Sequence, residues 1–290
     1  MTASWQMRGV ALFTRLAYRR RFATEAAGRA RLALPKGPSA PPRSLRPRCV
    51  RRQVDGFDVY AVRPRTAPPS GDPIVYLHGG AYVSEIVRQH WDLAAHLADR
   101  SGREVHVALY GLAPHHDGLR ALAFVTTLVA ELSTAGRRCH LVGDSAGGGL
   151  ALATAQATAQ ATPVASLTLI APWLDLSMTN PEIDALEPHD PWLSRPGLRP
   201  MAAAWANGLP LTDPRISPLY GDLRDLPPLH LLVGTRDITL ADCRALRDRL
   251  PADTRLTYHE QQDAIHAYPL LPVPEAREAR AAIVAHLRPS

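Results

Sequence analysis

Short apolar runs alternate with amphipathic stretches along most of the chain. Runs of this length favour strands covered on both faces, whereas apolar positions three or four apart favour helices. The predicted strands are Ile74–Leu77, Glu104–Leu109, Arg138–Val142, Leu167–Ile170, Leu229–Val233 and Arg255–Tyr258, preceded by a hairpin over Gln53–Val62. The predicted helices are Asp92–Asp99, Leu119–Leu132, one that begins near Gly149, Ala241–Leu250 and Glu275–Leu287. This alternation predicts an α/β fold, with a mostly parallel central sheet and helices on both faces.

Two segments depart from the alternation. In residues 1–50 we predict two amphipathic helices between Trp5 and Leu34, followed by a proline-rich extended linker. The apolar stripe expected in this arm comprises Met7, Val10, Phe13, Leu16, Ala17 and Phe22. In residues 180–215, prolines punctuate short helical pieces and no strand is predicted, which is typical of a lid. We therefore expect a main domain over 51–290, with a helical cap formed by 1–50 and an insertion at about 180–215.

The charge of the chain is unevenly distributed. The net charge is +6, but residues 1–65 hold 15 Lys+Arg against 3 Asp+Glu, so the remainder is acidic. No nucleic-acid-binding signature accompanies the basic arm, and we expect no nucleic-acid partner. A solvated cap face is the interpretation we favour for the arm, and attraction to anionic lipid is the alternative.

Cysteine usage and hydropathy bear on the compartment. Cys49, Cys139 and Cys243 lie far apart, which fits neither a disulfide framework nor a metal site. No apolar run is long enough for a signal-peptide core or a membrane span. We therefore expect a cytoplasmic protein without a metal or an organic cofactor. The oligomeric state stays open, with a homodimer as one alternative.

The stretch Leu141–Gly149 resembles a strand end, a sharp turn and a helix start. Its centre, Gly143-Asp144-Ser145-Ala146-Gly147, fits the G-x-S-x-G pattern of a serine nucleophile. The glycines two before and two after the serine lack side chains, as so tight a turn requires. A glycine-rich turn with a buried serine is the alternative interpretation. The strand before the turn and the helix after it favour Ser145 as the nucleophile.

A serine attacks only when a base takes its proton and an acid orients that base. In sites built on a G-x-S-x-G turn, the chain order is Ser, then Asp or Glu, then His. Asp237 follows an apolar strand directly, and His266 lies between the last predicted strand and the last helix. We therefore predict Asp237 as the acid and His266 as the base. The alternatives are Asp175, Asp222, Asp225 or Asp242 as the acid, a helix N-cap role for Asp237, and His259 as the base.

The third requirement of such a reaction is stabilisation of the negative charge that develops on the substrate oxygen. Gly79 and Gly80 follow a predicted strand, and adjacent glycines let backbone N–H groups approach a substrate oxygen. The N–H of Ala146 adds a donor at the start of the following helix. We expect Gly79, Gly80 and Ala146 to form an oxyanion hole, with His78 and Tyr82 supporting the loop.

These segments together resemble the hormone-sensitive-lipase family of esterases, whose signatures are an H-G-G-G loop and G-D-S-A-G-G. The resemblance covers about residues 53–290. The matching segments are Leu77-His78-Gly79-Gly80-Ala81, Gly143–Gly148, Tyr110–His116 (similar to Y-R-L-A-P-E-H), Ser217-Pro218 and Asp225–Pro228. The departures are Ala81 for the third glycine, Gly111 and His115 for the usual Arg and Glu, and Ala264 where glycine is common. None of them removes a catalytic group.

The resemblance implies an α/β-hydrolase fold with a cap, and a carboxylesterase acting on small-molecule esters of short to medium acyl chains. Its catalytic domain would be the main domain, 51–290. An amidase or lactone hydrolase with the same triad remains open, since both pass through the same acyl-enzyme. A non-catalytic small-molecule receptor on the same fold and a membrane-associated lipase also remain open.

Overall fold

The computed structural model describes residues 3–134 and 136–287, and an eight-stranded sheet runs through it. Its strands are β1 (Cys49–Val54), β2 (Phe57–Val62), β3 (Ile74–Leu77), β4 (Val105–Ala108), β5 (His140–Asp144), β6 (Ser166–Ile170), β7 (Leu229–Arg236) and β8 (Leu256–Ile265). The helices are α1 (Trp5–Ala17), α2 (Glu25–Ala33), α3 (Arg88–Ser101), α4 (Gly118–Leu132), α5 (Ala146–Thr158), α6 (Ile183–Leu186), α7 (Arg195–Ala206), α8 (Leu240–Arg249) and α9 (Pro274–His286). Residues 1–2 and 288–290, the ends of the expected arm and main domain, lie outside the described residues.

The strand order is β1-β2-β4-β3-β5-β6-β7-β8. The β1–β2 hairpin joins the sheet antiparallel, and β3 to β8 are all parallel. The hairpin turns at Asp55-Gly56, where both residues have positive φ, as a two-residue turn of this kind requires. The prediction of a mostly parallel α/β sheet is confirmed.

The last two strands extend further than the sequence pattern predicts. β7 continues to Arg236 and β8 to Ile265, because their ladder resumes beyond an irregularity near Gly234. β8 is an edge strand whose side chains are mostly half-exposed, so its second half is polar and does not show an apolar run. The consequence for the site is direct: the two strands end next to Asp237 and His266.

The sheet separates two apolar cores, and α1 belongs to the smaller one. Met7 and Ala11 are buried there, together with side chains of α3 and α9. The apolar stripe expected in the arm is therefore only partly correct, since Phe13 is 61% and Leu16 is 72% exposed. The reason is that α1 contacts the body along the line of residues 7, 11 and 14, which leaves the larger apolar side chains on the opposite face.

The arm also contacts the 180–215 insertion. α2 packs against α7 so closely that a Cβ on Gly28 would lie 2.2 Å from the carbonyl oxygen of Gly197. The Gly197 N–H donates to the carbonyl of Phe22 at 2.9 Å. Within the described part of the chain, no helix has the length and apolarity needed to cross a bilayer.

Candidate active site

Ser145 stands at the turn between β5 and α5. Its φ is +52°, a conformation that non-glycine residues rarely adopt and that concentrates at functional sites. The flanking glycines are required by close backbone approach. A Cβ on Gly143 would lie 2.3 Å from the carbonyl oxygen of Gly147, and one on Gly147 would lie 2.1 Å from that of Leu77. The turn thus presents the serine side chain at the carboxyl edge of the parallel strands.

The three residues expected to act together form one hydrogen-bonded series. Ser145 Oγ lies 2.8 Å from His266 Nε2, and His266 Nδ1 lies 2.8 Å from Asp237 Oδ2. His266 is 3% exposed and Asp237 is fully buried, so bulk water is kept from the bond between them. The arrangement can pass a proton from the hydroxyl to the imidazole while the carboxylate holds the ring.

Burial and charge act in opposite directions on His266. Burial disfavours the imidazolium and lowers its pKa, but the neighbouring Asp237 carboxylate outweighs burial. The pKa of His266 therefore lies above its usual value of 6.5. His266 is therefore mostly neutral, and able to accept a proton, only at a pH above its own raised pKa.

Asp237 is not the N-cap of α8, which is Thr239, and its two carboxylate oxygens face different groups. Its Oδ1 accepts the N–H of Thr239 at 2.9 Å, just before α8, while Oδ2 faces His266. None of the competing acids hydrogen-bonds to His266. Asp175 accepts from Ser177 and Tyr220, Asp222 pairs with Arg224, Asp225 accepts from Gln160, and Asp242 accepts from Asn180. The ring of the rival base His259 packs against His230 instead.

Asp190 is a residue of the site that the sequence pattern does not reveal. It lies in the insertion and is 1% exposed. Its Oδ1 accepts the N–H groups of Trp192 and Leu193, and its Oδ2 accepts the N–H of Ile238, directly after Asp237. Burial, and then the charge of Asp237, raise the pKa of Asp190 to about 7. No local motif marks this aspartate, because its partners come together only in the folded chain.

Asp144, next to Ser145, supports the loop that follows β3. Its buried carboxylate accepts the Tyr76 hydroxyl at 2.6 Å and the Gly79 N–H at 3.0 Å. Burial raises the pKa of Asp144, but the neighbouring His90 and the Tyr76 hydroxyl outweigh burial and keep it below the usual value. Asp144 is therefore an ionised acceptor and not a proton carrier in the series.

The contact with Asp144 corrects one expectation about the oxyanion hole. The sequence predicts a free N–H on Gly79, but that N–H already donates to the Asp144 carboxylate. The N–H groups of Gly80, Ala81 and Ala146 have no acceptor among the described residues. Gly80 and Ala81 both have positive φ, so the loop turns sharply here. Gly79 is better described as the anchor of the loop than as a donor to substrate.

His78 and Tyr82 lie beside the two glycines and make contacts that fit the expected support of this loop. The His78 Nδ1–H donates to the carbonyl of Gly79 at 2.6 Å, and its ring stacks on Tyr110. Burial lowers the pKa of His78 to about 4, so the ring is neutral near pH 7. Tyr82 stacks on Trp205 of α7 with ring centroids 4.0 Å apart. This stacking joins the glycine loop to the insertion.

A cavity of about 490 Å³ opens over Ser145 and His266. The arm and the insertion both contribute apolar side chains to its wall, and the segments at the carboxyl ends of β3, β5, β6, β7 and β8 contribute the rest. The wall includes Val10, Phe13 and Phe22 from the arm and Ile183, Trp192 and Leu198 from the insertion. The Trp192 ring meets the His266 imidazole edge-on, with centroids 5.8 Å apart. The cavity can hold a small apolar molecule beside the serine hydroxyl.

Comparison with known proteins gives consistent matches. A family model described as the α/β-hydrolase fold matches residues 74–270. An acetyl-hydrolase of Streptomyces hygroscopicus is 34% identical over 234 residues, which cover 77% of this chain and 78% of that protein. Human hormone-sensitive lipase is 35% identical over 100 residues, or 32% of this chain and 9% of the lipase. A solved esterase of the bacterial hormone-sensitive-lipase family matches with a TM-score of 0.80 and 28% identity, covering 99% of each chain.

Proposed function

Because the chain belongs to the hormone-sensitive-lipase-like esterases of the α/β-hydrolase family, we propose that it hydrolyses carboxylic esters through an acyl-enzyme on Ser145. The chain is a carboxylic ester hydrolase, and a non-catalytic receptor role is set aside. The observation that carries the mechanism is the series from Asp237 to His266 to Ser145, with 2.8 Å at each step.

In the first half-reaction, Ser145 Oγ attacks the ester carbonyl carbon while His266 Nε2 takes the hydroxyl proton. The resulting imidazolium is stabilised by the Asp237 carboxylate, which stays ionised. The tetrahedral intermediate then expels the alcohol, and His266 donates its proton to the leaving oxygen. An ester now joins the acyl group to Ser145.

In the second half-reaction, His266 takes a proton from a water molecule that attacks the acyl carbon. The second tetrahedral intermediate collapses, the acid product leaves, and the proton returns from His266 to Ser145 Oγ. Throughout, Asp237 keeps the imidazole in the tautomer whose Nε2 is free to act as the base.

The oxyanion of each intermediate is held by backbone N–H groups. We assign this role to Gly80, Ala81 and Ala146, whose N–H groups lack acceptors in the described chain. Such a donor contributes about 3 kcal/mol to stabilisation of the transition state. The N-terminus of α5, with Ala146 as its first residue, adds its dipole at the same place.

We propose that the acyl group is short to medium in length. A cavity of about 490 Å³, closed by the arm and the insertion as a cap, suits such a substrate. The relative from Streptomyces hygroscopicus is named for the removal of acetyl groups, which supports the short end of this range. An amide or lactone would pass through the same acyl-enzyme, so matched acetyl ester and acetyl anilide substrates separate these activities.

The test is hydrolysis of p-nitrophenyl esters of rising acyl length by the wild-type chain and by Ser145→Ala. Activity should be highest for short to medium chains and fall by at least about a thousandfold in Ser145→Ala. Ser70→Ala, an exposed loop substitution, is the matched control and should retain the wild-type rate. Full activity in Ser145→Ala would refute the mechanism, and a maximum at long chains would refute the acyl preference.

A further inference from the structure

The outward face of α1 is apolar. Trp5 is 78% exposed, Leu12 60% and Leu16 72%. Spacings of seven and four residues place these three side chains on one side of the helix, opposite the buried Met7 and Ala11. A single exposed apolar residue needs no explanation, but a contiguous apolar face on one helix is typical of an interaction site.

The surroundings of this face are cationic. Arg8 and Arg15 are exposed, and each lies three residues after Trp5 or Leu12, so both lie along the same side of the apolar stripe. Residues 1–24 contain five arginines and no acidic residue. Among the described residues, neither arginine forms an ion pair. Glu275, near the start of α1, is already bound by the N–H and hydroxyl of Ser4.

The same helix forms part of the entrance to the active site. Val10, Phe13 and Thr14 line the cavity that contains Ser145. Phe13 does so while 61% exposed, so it belongs both to the cavity wall and to the outer surface. Val87, which also lines the cavity, is a further exposed apolar residue at 49%.

We propose that this outward face of α1, made of Trp5, Leu12, Phe13 and Leu16 and bordered along one side by Arg8 and Arg15, docks on an anionic lipid surface. An interfacial helix combines Trp, Phe and Leu on one side with basic residues at the flanks, because the rings and alkyl chains enter the acyl boundary and the cations meet the headgroups. The helix would then bring the mouth of the cavity to the lipid surface, where apolar esters partition.

A second copy of the same chain is a less suitable occupant. Pairing two such faces would bring uncompensated arginines of both copies together, and like charges across an interface oppose association. Composition alone favours a solvated cap face for the basic arm. The direction of the apolar side chains in the folded chain, which hydropathy does not reveal, is what favours lipid instead.

The experiment is co-sedimentation of the full chain with phosphatidylcholine vesicles, with and without added phosphatidylglycerol. Wild type should bind the vesicles that contain phosphatidylglycerol, and binding should weaken as salt is raised. Arg8→Gln with Arg15→Gln should weaken that binding about 30-fold. Trp5→Ser with Leu12→Ser and Leu16→Ser should weaken it by at least about tenfold, because the apolar contact is lost.

The matched controls substitute exposed residues elsewhere, namely Arg137→Gln with Arg255→Gln and, for the apolar change, Val50→Ser. They should bind as wild type. Hydrolysis of a soluble p-nitrophenyl ester should stay unchanged in every α1 variant, so lipid docking and the proposed function can fail separately. The proposal is overturned by no vesicle binding, by equal binding of wild type and α1 variants, or by a dimer that the apolar variants dissociate.

Discussion

At the residue scale, the site depends on a backbone conformation and a pKa that the isolated residues would not have. Ser145 has a positive φ because β5 and α5 approach each other closely at the glycines around it. His266 keeps a raised pKa in a buried position mainly because the Asp237 carboxylate lies 2.8 Å away, with smaller contributions from the charges of Asp190 and Asp144. Both features follow from contacts made in the folded chain, and the raised pKa of His266 has a consequence that can be measured.

The first consequence concerns pH. Since the pKa of His266 lies above 6.5 and catalysis needs its neutral form, kcat/KM should rise with pH through a midpoint above 6.5. Asp237→Asn removes the carboxylate that raises this pKa most, so the opposing effect of burial gains weight and the midpoint should move to lower pH. The maximal rate should also fall, by about 10³- to 10⁴-fold.

The measurement is a pH–rate profile on an activated ester. His259→Gln changes a histidine outside the hydrogen-bonded series and should leave the profile in place. A midpoint that stays where it is in Asp237→Asn would mean that another group governs the titration.

A second prediction at this scale concerns Asp190. Its pKa rises from 3.8 to about 7 on folding, so the folded state binds its proton more tightly than the unfolded chain does. The corresponding stability is present below the unfolded pKa and is lost as pH rises towards 7. Asp190→Asn cannot titrate, and one of its side-chain positions becomes a donor that faces donors.

We expect Asp190→Asn to lower the free energy of unfolding at about pH 5 by roughly 1–3 kcal/mol and by less at about pH 8. Thermal unfolding at both pH values measures this difference. Asp184→Asn, an exposed carboxylate of the same insertion, should show no such pH-dependent difference. Equal destabilisation by Asp190→Asn at both pH values would contradict the raised pKa.

At the element scale, β7 and β8 position the acid and the base, while the insertion and the arm support them. Arg19, just after α1, donates to the backbone carbonyls of Glu187, Asp190 and Leu193. Asp190 in turn accepts the N–H of Ile238, next to Asp237. A continuous set of hydrogen bonds therefore runs from the arm to the acid of the catalytic series.

From this set we propose that Arg19 is a positioning residue. Arg19→Gln removes a charged donor from three carbonyls of the insertion. We expect kcat/KM to fall by about tenfold, because the segment that holds Asp190 against Ile238 loosens. Arg20→Gln is a matched control, since Arg20 is the next residue and is exposed. The two variants should be compared in steady-state kinetics on a soluble ester, with the pH–rate midpoint as a second readout. Identical kinetics for the two would show that the arm does not support the site.

How much of this could be predicted from the sequence differs between elements. The parallel strands, the serine turn and the order of Ser145, Asp237 and His266 follow from local patterns: apolar runs, glycine spacing and strand ends. The second half of β8 could not be predicted, because an edge strand with half-exposed side chains lacks an apolar run.

Some features depend on tertiary contacts that no window of sequence contains. The Gly79 N–H is taken by Asp144, which lies 65 residues further along the chain. Asp190 meets Ile238 across 48 residues. The orientation of α1 follows the line of Met7, Ala11 and Thr14, which face the body, and not the positions of Trp5, Phe13 and Leu16.

At the scale of the whole molecule, the fold divides the work between a sheet and two additions. The sheet brings the serine, the acid and the base to one edge, as parallel α/β sheets do with their functional residues. The arm and the insertion pack on each other through α2 and α7, and both line the cavity above that edge. Substitutions in the arm or the insertion should therefore change which substrates are accepted. Substitutions at the carboxyl edge of the sheet should instead change the rate of the chemical steps.

The most direct measurement is the mass of the chain after reaction with a p-nitrophenyl phosphonate, which traps an activated serine. A series of Asp237, His266 and Ser145 predicts one adduct per chain, on the peptide that contains Ser145, with loss of esterase activity in step with labelling. Labelling should be absent in Ser145→Ala and greatly slowed in His266→Gln. An adduct on another residue, or full activity after stoichiometric labelling, would contradict the assignment of Ser145 as the nucleophile.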